Sequence, residues 1–148
     1  MSSNGSTLKA FSKLQCGIVR FVRTREKALR QDGLEPLQFQ FLSLVHPVHP
    51  DGQQPNISDI ATQLGMQHHS AVEMVDRLVD RGFLRRRRAT HDRRHVLLAV
   101  TPEGKKLLMR AVQQEYTHVH EFAPELLRDL KLVLNDVRAN ARSRHRTN

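Results

Sequence analysis

Seven arginines and one acid lie between Arg81 and His95, with a run from Arg85 to Arg88 and a further pair, Arg93-Arg94, beside Asp92. Guanidinium groups suit phosphates and the narrow minor groove of a duplex, because they stay charged and present donors in a rigid fork. Just upstream, Gln67-His68-His69-Ser70 opens a segment that carries Glu73 and Arg77 at helical spacing. Side chains of these types can meet base edges or phosphates. The chemistry on offer is recognition of a polyanion. No Gly-rich phosphate loop, Gly-x-Ser-x-Gly elbow or zinc-protease pattern occurs, so neither an enzyme nor a cofactor is expected.

The composition agrees. Lys and Arg number 24 against 15 acids in 148 residues, a formal charge of +9, and the isoelectric point is near 10.8. Such a balance points to double-stranded DNA or another polyanion and says nothing about fold. The length fits one domain with a real core. No run of 18 apolar residues occurs, so no membrane span is expected, and Met1–Ser6 lacks the regions of a signal peptide. A single cysteine, Cys16, leaves no internal disulfide and fits a reducing, cytoplasmic setting.

These residues need elements to hold them. Phe11, Leu14, Ile18, Phe21, Val22 and Leu29 recur at helical spacing and predict a first helix over about 7–31, closed by Asp32-Gly33. Pro36 is expected at the first position of a second helix bearing Leu37, Phe39, Phe41, Leu42, Leu44 and Val45. The breakers from His46 to Gly52 end it. Ser58 is the expected N-cap of a short helix that stops at Gly65. The next helix, 67–81, turns Ala71, Met74, Val75 and Leu78 to the core and the His69, Ser70, Glu73 and Arg77 face outward. In a helix-turn-helix this outward face enters the major groove.

After Gly82, strands Leu84–Arg88 and His95–Val100 make a hairpin whose arginines, Arg86 and Arg88 among them, flank a polar tip. At that tip His91, Asp92, Arg93 and Arg94 are expected to contact DNA, with Asp92 able to pair with Arg94. Thr101 is expected to cap a helix that begins at Pro102 and runs to about Phe122. Pro124 would restart a last helix striped by Leu126, Leu127, Leu130, Val133, Leu134 and Val137. Residues 1–6 and 141–148 read as flexible ends. The fold class expected is mainly α with a small β-hairpin: a winged helix-turn-helix.

The run from Leu64-Gly65 through Leu78-Val79-Asp80-Arg81-Gly82-Phe83-Leu84 to Asp92-Arg93-Arg94 and Val100-Thr101-Pro102-Glu103-Gly104 resembles the MarR family of bacterial transcriptional regulators. By element order the likeness covers roughly residues 8–140, and at motif level 57–104. It implies a triangular homodimer, with about 7–34 and 104–140 as dimerisation helices and 36–103 as the DNA-binding lobe. Two lobes would bind a pseudo-palindromic operator, most simply as a repressor, with half-sites about one helical turn apart. The family's Asp-x-Arg pattern would make Arg94 the minor-groove arginine, Asp92 the residue that orients it, and Arg93 a phosphate contact. His68, His69 and Ser70 fall where the family's recognition helix meets the groove. Gln67 stands in place of a frequent serine cap and Glu73 in place of a frequent base. A carboxylate there repels phosphate or accepts from a cytosine amine.

The same likeness implies release from DNA by a small aromatic or lipophilic effector in a cleft between dimer helices and winged lobe. Phe21, Phe39, Phe41, His46 and Tyr116 come from elements able to line such a cleft, although residues of these types are more often ordinary core. Some family members sense peroxide through a first-helix cysteine, which makes Cys16 an alternative sensor, with Lys13 and Arg20 near it in sequence. Tyrosine partners are missing from the first two helices, which weakens that reading. His46, His49, His118 and His120 raise zinc, yet no ligand spacing joins them, so no metal is expected. A sequence-independent nucleoid or RNA-binding protein with a winged helix is the remaining alternative.

Overall fold

The computed structural model describes residues 2–46, 55–88 and 96–145. The elements, in chain order, are α1 (Ser2–Gln31), α2 (Pro36–Val45), α3 (Ile57–Gln63), α4 (His68–Asp80), β1 (Leu84–Arg88), β2 (Val96–Val100) and α5 (Pro102–His145). Two compact units divide them: residues 28–113 form one, and residues 1–27 with 114–148 form the other. Among the described residues no helix is long and apolar enough to cross a membrane.

The 28–113 unit holds the expected helix-turn-helix and hairpin. Its core joins Leu29 and Leu34 to Phe41, Leu42 and Val45 of α2, Ile60 of α3, the Ala71, Met74, Val75 and Leu78 stripe of α4, Leu84 and Leu98 of the hairpin, and Leu107, Leu108 and Ala111 of α5. Every member is buried; in α4 the helical period, and in β1 and β2 the alternation of side chains, turn the apolar positions to that side. Between α3 and α4 the chain reverses at Gly65, whose φ of 63° is one that a side chain bearing Cβ resists.

Three local expectations change. The cap of α3 is Asn56, whose side chain accepts from Asp59 N at 2.9 Å, while Ser58 sits inside the helix. An Asx cap one residue before the apolar pattern competes well with serine, and propensity alone does not separate them. The first helix begins at Ser2, well ahead of Thr7. The last does not restart at Pro124: α5 continues through it to His145, into the end expected to be flexible from residue 141. Proline removes one intrahelical donor at a cost of about 3 kcal/mol. Packing on either side offsets this cost, since Phe122 lies against Phe21 (5.7 Å between centroids) and Leu126 against Gly17.

Arg81, the C-cap of α4, ties this unit together. Its guanidinium donates to Gln38 Oε1 at 2.8 Å and to the Gly33 carbonyl at 2.6 Å, and it stacks 4.7 Å from the Phe83 ring. Gln38 is nearly buried and also accepts from Glu35 N at 3.2 Å, in a capping box that starts α2. Arg81→Ala is therefore expected to cost about 2 kcal/mol, the loss of charge-assisted bonds at a partly exposed site. Urea unfolding at fixed protein concentration measures this. An unchanged midpoint would show that water replaces both bonds.

In the other unit, α1 and the later part of α5 pack through Gly17, Phe21, Phe122 and Leu126, with ion pairs Arg20–Glu125 (2.7 Å) and Arg25–Glu115 beside them. Much apolar surface stays uncovered: Leu8, Phe11, Ile18, Val19, Val119, Leu127, Leu130, Leu134 and Val137 are each more than 40% exposed.

Candidate nucleic-acid interface

The site is built on α4. Gln67 supplies its N-cap backbone and makes no side-chain cap bond, leaving the amide group exposed. His68 begins the helix, and its Nδ1 lies 3.2 Å from Ser58 Oγ, which joins the two helices of the helix-turn-helix across their turn. His69, Glu73 and Arg77 succeed one another at one-turn intervals and are exposed, with Ser70 half-buried beside them. Among the described residues Glu73 and Arg77 form no ion pair, so the i,i+4 pairing open to them in the sequence is not made.

The hairpin runs alongside. Its register pairs Leu84 with Val100, Arg85 with Ala99, Arg86 with Leu98, Arg87 with Leu97 and Arg88 with Val96. Leu84 and Leu98 are buried, so Arg86 shares the inward face, and its guanidinium is held by Asp76 of α4. Both partners are substantially exposed, at 39% and 54% of their side-chain surface, so the pair adds little stability, though it sets wing against helix. Arg85 and Arg87 take the opposite face and are exposed. Sequence reasoning points to Arg86 and Arg88 and misses Arg85, Arg87 and Asp76. Strand parity relative to Leu84 is the signal that could have set Arg85 and Arg87 apart from Arg86; Asp76, on α4, carries no such signal. Arg88 ends β1, and His91, Asp92, Arg93 and Arg94 lie outside the described residues.

Thr101 performs the expected cap and more. Its Oγ1 accepts from Gly104 N at 3.0 Å and donates to the Gly82 carbonyl at 2.6 Å, which fastens the start of α5 to the end of α4.

The candidate effector residues divide between the units. Phe21 and Tyr116 belong to the one built from the chain ends; Phe21 lies against Phe122, and Tyr116 is 68% exposed. Phe39, Phe41 and His46 belong to the other, where Phe41 is wholly buried and Phe39 packs against the same core. For Phe41 the packing role that the sequence also allowed is the one seen.

Cys16 is exposed and borders a pocket of about 300 Å³ with Lys9, Ser12, Lys13, Glu125, Arg128 and Asp129. Among the described residues no group of three or more His, Cys, Asp or Glu could hold a metal ion, and His49 lies outside them.

Comparison with known proteins places this arrangement. Residues 32–95 match the model of the MarR family. The transcriptional repressor MprA of Escherichia coli K12 is 26% identical over 102 residues, covering 69% of this chain and 57% of its own, so the chain spans little more than half of that relative. The transcriptional repressor CouR, bound to a 23-mer DNA duplex, is 31% identical, with a TM-score of 0.64 over 86% of this chain and 88% of its own. CouR from Rhodococcus jostii RHA1 bound to p-coumaroyl-CoA is similar at 25% identity and TM-score 0.64, over 88% of this chain and 87% of that one.

Proposed function

We propose that this chain, which belongs to the MarR family of transcriptional regulators, is a cytoplasmic repressor that binds a pseudo-palindromic operator as a homodimer and leaves it when a small effector binds. The observation that carries this reading is the outward face of α4, His69, Ser70, Glu73 and Arg77, set beside an arginine-rich hairpin in a fold that CouR uses on DNA. Two copies of α4 would enter successive major grooves, about 34 Å apart, with Gln67 and His68 near the backbone. The wings would supply Arg88, His91, Arg93 and Arg94 to phosphate and minor groove, with Asp92 orienting Arg94 and Arg86 steadied by Asp76.

A second copy of the chain is the partner that the uncovered α1 and α5 faces fit. Isolated apolar residues on a surface need no explanation, but a continuous set on two packed helices does. Leu130→Asp, which puts a charge at an exposed position of that set, is expected to yield monomers in sedimentation equilibrium and to abolish operator binding at concentrations that saturate the wild type. A dimer of unchanged affinity would place the contact elsewhere.

Likeness to CouR with p-coumaroyl-CoA supports a small aromatic effector. An effector lowers operator affinity only by binding a non-DNA-binding arrangement more tightly. Retention of genomic fragments, including the region upstream of the chain's own gene, tests the proposal at ~150 mM salt with random competitor. Selective retention of a palindrome, released by aromatic acids or their thioesters, is expected. Equal retention of all fragments would overturn it. Peroxide in the same assay examines Cys16.

A further inference from the structure

The acids of α4 are not in equivalent settings. Asp76 is engaged by Arg86, and Asp80 is the last residue of the helix, at the end away from the turn. Glu73 is in the second turn, exposed, and among the described residues its carboxylate has no hydrogen bond or ion pair. It lies one turn after His69 and one before Arg77, opposite the buried Ala71, Met74, Val75 and Leu78. A carboxylate in the middle of a face that meets DNA, on a chain of charge +9, runs against the electrostatics of the rest.

Its chemistry limits what it can touch. A carboxylate accepts hydrogen bonds only, and a phosphate offers none while repelling it. In the major groove the base-edge donors are the N4 amine of cytosine and the N6 amine of adenine. Adenine sets its acceptor N7 beside N6, so a carboxylate taking the N6 proton brings its second oxygen against a lone pair. Cytosine sets only a C–H beside N4. Resting on the operator reading above, we propose that Glu73 determines specificity by accepting from the N4 amine of a cytosine in each half-site. It trades general affinity for DNA, which an anion lowers, for discrimination at one base pair.

Selection from a pool of randomised duplexes by wild type, Glu73→Ala and Glu73→Gln tests this. Wild type is expected to enrich a palindrome with cytosine at one position in each half. In E73A the preference at that position falls by about tenfold or more, the other positions are unchanged, and affinity for unselected DNA rises. In E73Q the preference moves to adenine, whose N6 and N7 match an amide. All three should melt alike, because among the described residues the Glu73 carboxylate makes no hydrogen bond or ion pair. A palindrome enriched equally by wild type and E73A would overturn the assignment and leave the operator reading intact. A wild-type pool with no enriched sequence would overturn both.

Discussion

Gly104→Ala is expected to destabilise the protein by about 2 kcal/mol, a change that in most helices has the opposite sign. Alanine is favoured over glycine within a helix by about 1 kcal/mol. At Gly104 a Cβ would fall far inside van der Waals contact of the Phe83 carbonyl oxygen and 3.0 Å from both the Phe83 carbonyl carbon and Val100 Cγ1. Phe83 cannot retreat easily. Its carbonyl accepts from Thr101 N at 3.0 Å and its amide donates to Leu78 O at 2.9 Å, so movement breaks the wing's attachment or the end of α4. Overpacking against backbone costs about 3 kcal/mol, at the upper end of what an added methyl inflicts, and this exceeds the propensity gain. For a chain of this size the melting temperature should drop by roughly 4–8 °C. Gly5, inside α1, is the control: nothing lies within 4 Å of where a Cβ would stand, and its alanine variant should melt no lower than wild type. Equal melting of G104A and wild type would show that α5 is not seated on the hairpin in this way.

Arg94→Ala is expected to weaken operator binding by about 100-fold or more, with no change in melting temperature or dimerisation. Charge-assisted hydrogen bonds are worth about 1.5–3 kcal/mol each, and a dimer would lose one at each wing. The salt dependence should flatten by about two units of slope, one phosphate-field cation per wing. Lysine should not restore affinity, because a narrow minor groove selects a planar, weakly hydrated guanidinium. Asp92→Asn should act in the same direction and more weakly, since the proposed orienting contact would be lost while the charge of Arg94 remains. Fluorescence anisotropy with a labelled operator reads all three. Unchanged affinity in R94A would remove the wing tip from the contact.

What the sequence made legible was whatever strict periodicity encodes. The α4 stripe was plain because Ala71, Met74, Val75 and Leu78 recur on one side of a helix, and all four are buried. The cap at Thr101 was plain because capping chemistry is local, whereas Gly104 stood out only through the family resemblance. The physical reason for Gly104 was not legible, because it depends on a carbonyl brought close by the hairpin. Long-range terms also decided Pro124, where Phe122 and Leu126 pack on α1 and carry the helix past a residue that would end it in isolation. Arg81 reads as one more base in an arginine run, yet two of its donors go to Gln38 and Gly33, residues more than forty positions earlier. The setting of Arg86 was hidden for a different reason. Its parity with Leu84 places it on the inward face beside Asp76, and charge counting obscured that alternation.

The proposed function requires that the protein recognise one operator rather than DNA in general. Its most direct test is a titration, at ~150 mM salt, of a duplex carrying the retained palindrome and of the same duplex with its half-sites scrambled, with the stoichiometry measured by sedimentation. Two chains per duplex and a preference for the palindrome of at least ~10³ are expected. Equal affinity for both duplexes, with binding that rises in proportion to duplex length, would contradict the claim and mark the protein as a sequence-independent binder of polyanions.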